Sequence, residues 1–246
     1  IHYAQGAALI HEDFVSGWAL LILSLALVLL NARRGLPFLP LGSSSTWLQF
    51  HIYTGFLTVL PYLLHAGLVI PEAPLEILLA ALYLSVAISG ITGLSIARIL
   101  PSRLSRRGEQ ILYERIPQFR RQLLERAQAL ALRAAEETGS STIADYFADR
   151  LRPFFNAPRN FWEHNMEIDR GRHTLLREMR DLERYLDDNE KAILRELSEL
   201  TELKDDLDYQ YALQSLLKWW QFVHVPLTYG LLVFVLLHVV VVYAFA

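Results

Sequence analysis

The sequence contains no cysteine. That excludes disulfides, thiolate zinc sites, iron–sulfur clusters and covalently attached c-type haem, so any haem is held by non-covalent contacts and axial side chains. Charge is missing in a patterned way. No charged residue falls within Phe14–Leu30 or Trp47–Ile70, and no acidic residue within Ile77–Ala97 or Trp219–Ala246. Lys and Arg are absent before the first of these runs, which therefore lacks the positive start of a signal peptide. The chain begins at Ile1 instead of Met and ends inside an apolar run at Ala246, as expected of a processed chain or of part of a longer product.

What is present in excess is apolar surface. Of 246 residues, 53% are hydrophobic, and each apolar run meets or nearly meets the ~20 residues needed to cross a hydrocarbon core of roughly 30 Å. Between the third and fourth runs, Pro101–Lys218 holds 20 of the 23 Lys+Arg and 22 of the 26 Asp+Glu, so the net charge of −3 averages two unlike parts. The expected fold is an all-α membrane protein, a four-helix transmembrane bundle running up-down-up-down. Residues 1–100 supply transmembrane helices one to three, 101–218 a soluble helical and coiled-coil insertion, and 219–246 the fourth helix.

Four spans place the Asn31–Thr46 segment and the insertion on one face, and the termini with the Pro71–Glu76 turn on the other. The first face carries Arg33, Arg34, Arg98, Arg103, Arg106 and Arg107, whereas the second carries Glu12, Asp13, Glu72 and Glu76 without Lys or Arg. The excess of basic residues on cytoplasmic loops places the insertion in the cytoplasm and both termini outside, in a bacterial inner membrane or an equivalent energy-transducing membrane.

Four of the eight histidines lie inside the apolar runs: His51 and His65 on the second, His224 and His238 on the fourth. Each pair is 14 residues apart, close to four helical turns, so both members face one side, roughly 21 Å apart along the axis. The second and fourth spans of an up-down-up-down bundle run parallel, which lets His51 meet His224 near the cytoplasmic face and His65 meet His238 near the outer face. Two neutral imidazoles from opposite helices are what the two axial positions of a haem iron require. The expected cofactors are two b-type haems with bis-histidine ligation. Proton relay and metal transport are competing uses of intramembrane histidines, but both normally bring acidic residues into the spans.

Small residues fit a planar cofactor: Gly55 one turn after His51, and Gly90, Gly93 and Gly230 in the third and fourth spans. Gly55 and Gly93 are candidate cofactor contacts, though glycine also serves plain helix–helix packing. Pro61 and Pro226 are expected to kink their helices near the ligand pairs. Arg33, Arg34, Arg98 and Arg103 are candidates for haem propionates or for anchoring at the membrane interface.

Two parallel helices, each with two histidines 14 residues apart, resemble the N-terminal four-helix bundle of the cytochrome b family (cytochrome b/b6 type) of quinol:cytochrome oxidoreductases. The resemblance covers the four spans and implies axial ligation by His51, His65, His224 and His238, with quinone as redox partner in a respiratory-chain complex. Three features depart from it: no Pro-Glu-Trp-Tyr quinol-site motif, a far longer insertion before the fourth span, and a charge bias that puts this insertion inside. A complete quinol-oxidising site is therefore not implied. Bundle cytochromes that anchor dehydrogenases or hydrogenases to quinone are a second relative, and their use of a first-span histidine makes His11 the reserve ligand for the outer haem.

The insertion reads as almost wholly helical. Pro117 separates a short basic helix from Gln118–Glu137, Thr138–Gly139 ends that helix, and Ser140 or Ser141 caps the next near Ile143–Leu151. Pro153 and Pro158 bracket an expected aromatic loop with Phe154, Phe155, Phe161 and Trp162, the best candidate for docking another subunit. Leu175, Met179, Leu182, Leu186, Ile193, Leu197, Leu200 and Leu207 follow helical spacing, with Asp187–Asn189 as a turn or an exposed stretch. His164 and His173 flank acidic residues Glu163, Glu167 and Asp169, more in keeping with a solvated polar loop than with a metal site. Trp219 and Trp220 suit the membrane–water boundary. No nucleotide loop, zinc spacing or nucleophile motif is present.

The expected function is that of a membrane electron-transfer subunit, working between the quinone pool and a partner redox subunit of a membrane complex, with no nucleic-acid partner. Tyr62, Glu12, Asp13 and Glu72 are outer-face candidates for proton exchange. Two alternatives stand beside it. One is a ferric-reductase-like transmembrane cytochrome, which normally brings a flavin domain not visible here. The other is a non-redox membrane scaffold whose helical insertion recruits partners.

Overall fold

Every regular element among the described residues is a helix. The structure, a computed structural model, describes residues 2–35, 42–67, 71–105, 110–159, 161–166 and 170–245, and side chains are described for these except at 2–13, 31–35 and 170–172. Contacts divide the chain into two compact units, one of Ile1–Ile96 with Trp219–Ala246, the other of Ala97–Lys218.

The first unit contains α1 (His2–Gly35), α2 (Ser44–Leu57), α3 (Val59–Ala66), most of α4 (Pro74–Leu104) and the C-terminal part of α10 (Asp188–Phe245). Ser43 caps α2, its hydroxyl accepting from the Thr46 amide at 3.2 Å. The Trp47–Ile70 run does not form one helix. Pro61 has no amide hydrogen for the Leu57 carbonyl, and the helix breaks there, with Thr58 linking α2 to α3. The Thr58 hydroxyl donates to the Gly55 carbonyl at 2.7 Å across the break. α3 ends at Gly67, whose φ of 62° favours glycine. Pro226, by contrast, lies within an uninterrupted α10.

Among the described residues, two helices are long and apolar enough to cross a membrane, α4 and α10. Phe14–Leu30 is a shorter apolar stretch, and the second expected span is divided between α2 and α3. The most apolar 18-residue window of each long helix is only 6% buried, which sets these helices apart from the core helices of a water-soluble fold. The residues this unit does bury are mainly small or polar: Ser16, Leu21, Thr54, Thr58, Pro61 and Gly93.

The second unit has a conventional apolar core. A 3-10 turn at Tyr113–Arg115 leads into α5 (Ile116–Thr138), with Pro117 in its first turn where no amide partner is needed. Gly139, at φ 68°, closes α5 in the left-handed conformation. α6 (Thr142–Tyr146), a π-helical turn at Phe147–Leu151 and α7 (Arg152–Asn156) follow, then α8 (Phe161–Asn165) and α9 (Arg170–Leu182). Asp187 and Glu190 form a reciprocal capping box at the start of α10: the Glu190 amide donates to Asp187 Oδ1 at 2.7 Å, and the Asp187 amide to Glu190 Oε2 at 3.0 Å. The chain turns at Leu186–Asp187, and Asp188 and Asn189, expected as a turn or an exposed stretch, form the first turn of α10. Met179, Leu186, Ile193, Leu197 and Leu207 of the apolar seam are buried against Ile116, Leu123, Ala127 and Ala131 of α5 and its neighbours.

Two expectations for this unit are corrected. Phe154 and Phe155 do not lie in an exposed docking loop; they belong to α7 and are 3% and 1% exposed in the core. Trp162 of the same expected loop, by contrast, stays 68% exposed. His164 is not in a solvated loop either. It is buried on α8 with Nε2 3.6 Å from Asp205 Oδ1 of α10, and its ring meets Tyr209 edge-on at 5.8 Å.

Candidate cofactor site

The four apolar-run histidines fall on three helices of the first unit: His51 on α2, His65 on α3, and His224 with His238 on α10. All four are half-buried. His65 and His238 are neighbours, their ring centres 6.2 Å apart and their planes at 87°. An imidazole nitrogen stands roughly 2 Å from a metal it ligates and about 1 Å from its own ring centre, so two rings on one metal lie about 6 Å apart. The observed separation fits, and perpendicular planes are open to two rings that share only the metal–nitrogen axis. A Cβ added at Gly17 of α1 would come within 2.9 Å of the His65 imidazole Cε1. Glycine there lets α1 lie directly against the ring.

His51 and His224 lie within electrostatic range of one another. His51 Nδ1 is 3.0 Å from the Leu27 carbonyl of α1. A carbonyl only accepts, so Nδ1 carries the hydrogen and Nε2 keeps its lone pair for a metal. His224 Nδ1 is 3.1 Å from the Ser89 hydroxyl of α4. Its ring is stacked on Trp220 at 5.0 Å and 20°, and the Trp220 indole N–H donates to the Ser89 carbonyl at 2.8 Å.

Each level presents two imidazoles, and among the described residues no group of three or more His, Cys, Asp or Glu gathers as a bare-ion site would require. Paired imidazoles suit a haem, whose macrocycle provides the other four nitrogens.

The glycines divide. A Cβ at Gly55 or at Gly230 would meet nothing within 4 Å, and one at Gly90 would sit 3.9 Å from His224 Cε1. At Gly93 a Cβ would fall 1.9 Å from Trp220 Cζ2, so this glycine makes room for the indole. Trp220, expected with Trp219 at the membrane boundary, is thereby tied to His224, while Trp219 is 64% exposed. Arg103 donates to the Asn165 carbonyl at 3.0 Å within the second unit. The side chains of His11, Glu12, Asp13, Arg33, Arg34, Arg106, Arg107, Glu167 and Asp169 lie outside the described residues. Tyr62 is stacked on Tyr83 of α4, and Glu72 is exposed.

Gly17, Leu27 and Ser89 were not singled out from sequence. A glycine early in the first run and a Ser-Gly step in the third are their only local signals. Which ring each would touch depends on how the helices pack.

In the second unit, Lys204 and Asp208 form a buried ion pair one turn apart on α10. Lys204 also donates to the Ala157 carbonyl at 2.9 Å and lies over the Phe154 ring at 4.1 Å. The Arg159 amide donates to Asp208 Oδ2 at 3.0 Å. Burial pushes the Asp208 carboxyl up and the Lys204 ammonium down, while their mutual attraction opposes both shifts. The cluster fixes α10 against the α7–α8 segment.

No protein-family model, curated protein or solved structure matches this chain.

Proposed function

We propose that this protein is a dihaem b-type cytochrome that carries electrons through a membrane, with His51 and His224 as axial ligands of one haem and His65 and His238 of the other. The observation that carries this is the neighbouring His65–His238 pair, whose 6.2 Å separation matches two imidazoles on one metal. On α10 the 14 residues from His224 to His238 set the second level roughly 21 Å away along the axis, most of a bilayer's thickness. The open apolar faces of α4 and α10 support a bilayer as surroundings. Under this reading α1, the broken α2–α3, α4 and the end of α10 form the four-span bundle, and the charge bias favours the insertion on the cytoplasmic side.

Haem, held by these four histidines, would supply one-electron redox chemistry. The chain's own residues hold and orient it. The Leu27 carbonyl keeps the His51 proton on Nδ1, so Nε2 is the nitrogen that would ligate, and Gly17 lets α1 close against His65. The quinone pool and a redox subunit docked through the insertion are the partners this function calls for.

The test is the optical spectrum of the purified protein with dithionite and with an oxidant, together with the haem-to-protein ratio. Two b-type haems per chain are expected, falling to one in His238→Ala and one in His224→Ala. A protein purified without b-type absorption bands, or a double variant H65A/H238A that keeps two haems, overturns the proposal.

A further inference from the structure

Ser89 touches the surroundings of His224 twice, through different atoms. Its hydroxyl oxygen is 3.1 Å from His224 Nδ1. Its carbonyl receives the Trp220 indole N–H at 2.8 Å, and that indole lies over the same imidazole at 5.0 Å and 20°. One residue of α4 thus fixes the edge of the ring directly and its face through Trp220. The indole reaches this position because residue 93, one turn further along α4, has no Cβ. One turn along α10, the Thr228 hydroxyl donates to the His224 main-chain carbonyl at 2.9 Å.

The other imidazole at this level is held differently. His51 gives its Nδ1 hydrogen to a main-chain carbonyl, which fixes both its direction and its tautomer. A hydroxyl accepts or donates, so the Ser89 contact is the adjustable one. From this asymmetry we infer that Ser89 is a positioning residue: it accepts the Nδ1 hydrogen of His224, keeps Nε2 as the ligating nitrogen, and tunes the redox potential of the haem that His224 ligates. The part concerning potential rests on the dihaem reading; the part concerning tautomer does not.

A hydrogen bond accepted from the far nitrogen raises the basicity of an imidazole and favours the oxidised metal. Losing it in Ser89→Ala therefore makes one haem easier to reduce and leaves the other unchanged. A neutral hydrogen bond of this kind corresponds to a roughly two- to tenfold change in the reduced-to-oxidised ratio at a fixed ambient potential. Ser89→Thr, which keeps the hydroxyl, restores the wild-type ratio.

The experiment is a potentiometric titration of wild type, Ser89→Ala and Ser89→Thr, followed by the haem absorption bands. Nitrogen-15 NMR of the histidine rings in the haem-free wild-type protein accompanies it. One titration step moved in the alanine variant and restored in the threonine variant, with His224 protonated at Nδ1, is the expected result. Unchanged steps, equal displacement of both steps, or His224 protonated at Nε2 overturns it. If Ser89→Ala does not fold, the ring NMR of the wild type and the Ser89→Thr titration decide. A wild type that takes up no haem removes the dihaem reading, while the ring NMR still tests the positioning of His224.

Discussion

Tyr62 and Tyr83 lie face to face, their ring centres 3.9 Å apart and their planes at 13°. The Tyr83 hydroxyl is also 3.1 Å from Thr58 Oγ1, whose own hydrogen goes to the Gly55 carbonyl, so Tyr83 donates. Thr58 is seven residues from both His51 and His65, placing this contact midway between the two histidine levels. It ties α4 to the broken second helix where that helix has lost a main-chain hydrogen bond.

Removing the hydroxyl alone, in Tyr83→Phe, is expected to cost about 0.5–1.5 kcal/mol. Tyr83→Ala and Tyr62→Ala should couple by a further ~0.5–1.5 kcal/mol through the stack. Denaturant unfolding of the detergent-solubilised single and double variants measures both. Additive losses would show that the rings do not hold the helices together.

Gly17 offers a sharper test of the His65 level. A Cβ there stands 2.9 Å from the imidazole, so Gly17→Val is expected to displace the ring and halve the haem content. At Gly55 the same addition meets nothing within 4 Å, and Gly55→Ala should retain both haems. The haem-to-protein ratio after reconstitution distinguishes them, and equal loss in both variants would remove the special role of Gly17.

Gly93→Ala drives a methyl group into the Trp220 indole, 1.9 Å away at Cζ2. Overpacking of this kind costs roughly 1–3 kcal/mol, and the displaced indole should leave His224. Gly230→Ala, with open space around it, is the control and should be near neutral. Thermal unfolding ranks the two, and near-infrared or paramagnetic resonance spectra of the oxidised protein should change in Gly93→Ala alone.

In the second unit, Asp208→Asn leaves the Lys204 ammonium buried without its carboxylate, an expected loss of about 3–5 kcal/mol. Replacing both, in Lys204→Met with Asp208→Leu, should recover most of it, because the buried pair contributes little net stability. A double variant as unstable as the single one would mean that the charges themselves hold the α7–α8 segment.

Tyr146 supplies a pH signature. Burial first, and the Glu178 carboxylate second, push its phenol up to about 12. With the folded value above the unfolded one near 10, the folded state keeps its proton as the unfolded chain loses it. Stability from this group is complete below pH ~10 and is lost as pH rises through ~12. Tyr146→Phe should flatten that part of the stability curve, and alkaline unfolding followed by circular dichroism reads it.

For His224 and His238, which share the unbroken α10, the 14-residue spacing fixes a face and a rise directly; His51 and His65 lie on separate helices, α2 and α3, so their spacing alone does not. The sequence also marked the α5 boundaries, where Pro117 and Gly139 act locally. It did not reveal the contacts that depend on which helix lies against which. Gly17 against His65 joins α1 to α3, and Ser89 against His224 joins α4 to α10. His164 misled for the same reason: its charged neighbours in sequence suggested water, but its surroundings are Asp205 and Tyr209, some 40 residues further along the chain. The second apolar run illustrates a different limit. Its composition is that of one span, but Pro61 divides it after Leu57.

The hydrogen bond from His51 to Leu27 ends on an atom that every amino acid carries. No substitution at position 27 deletes that acceptor; only a shift of the α1 backbone does. The imidazole of His51 is thus insulated from point mutation at its anchor, while His224 depends on a side chain that a single base change can alter. Within one ligand pair, variation has a fixed end and an adjustable end, and any natural drift in the properties of this level should be sought at position 89.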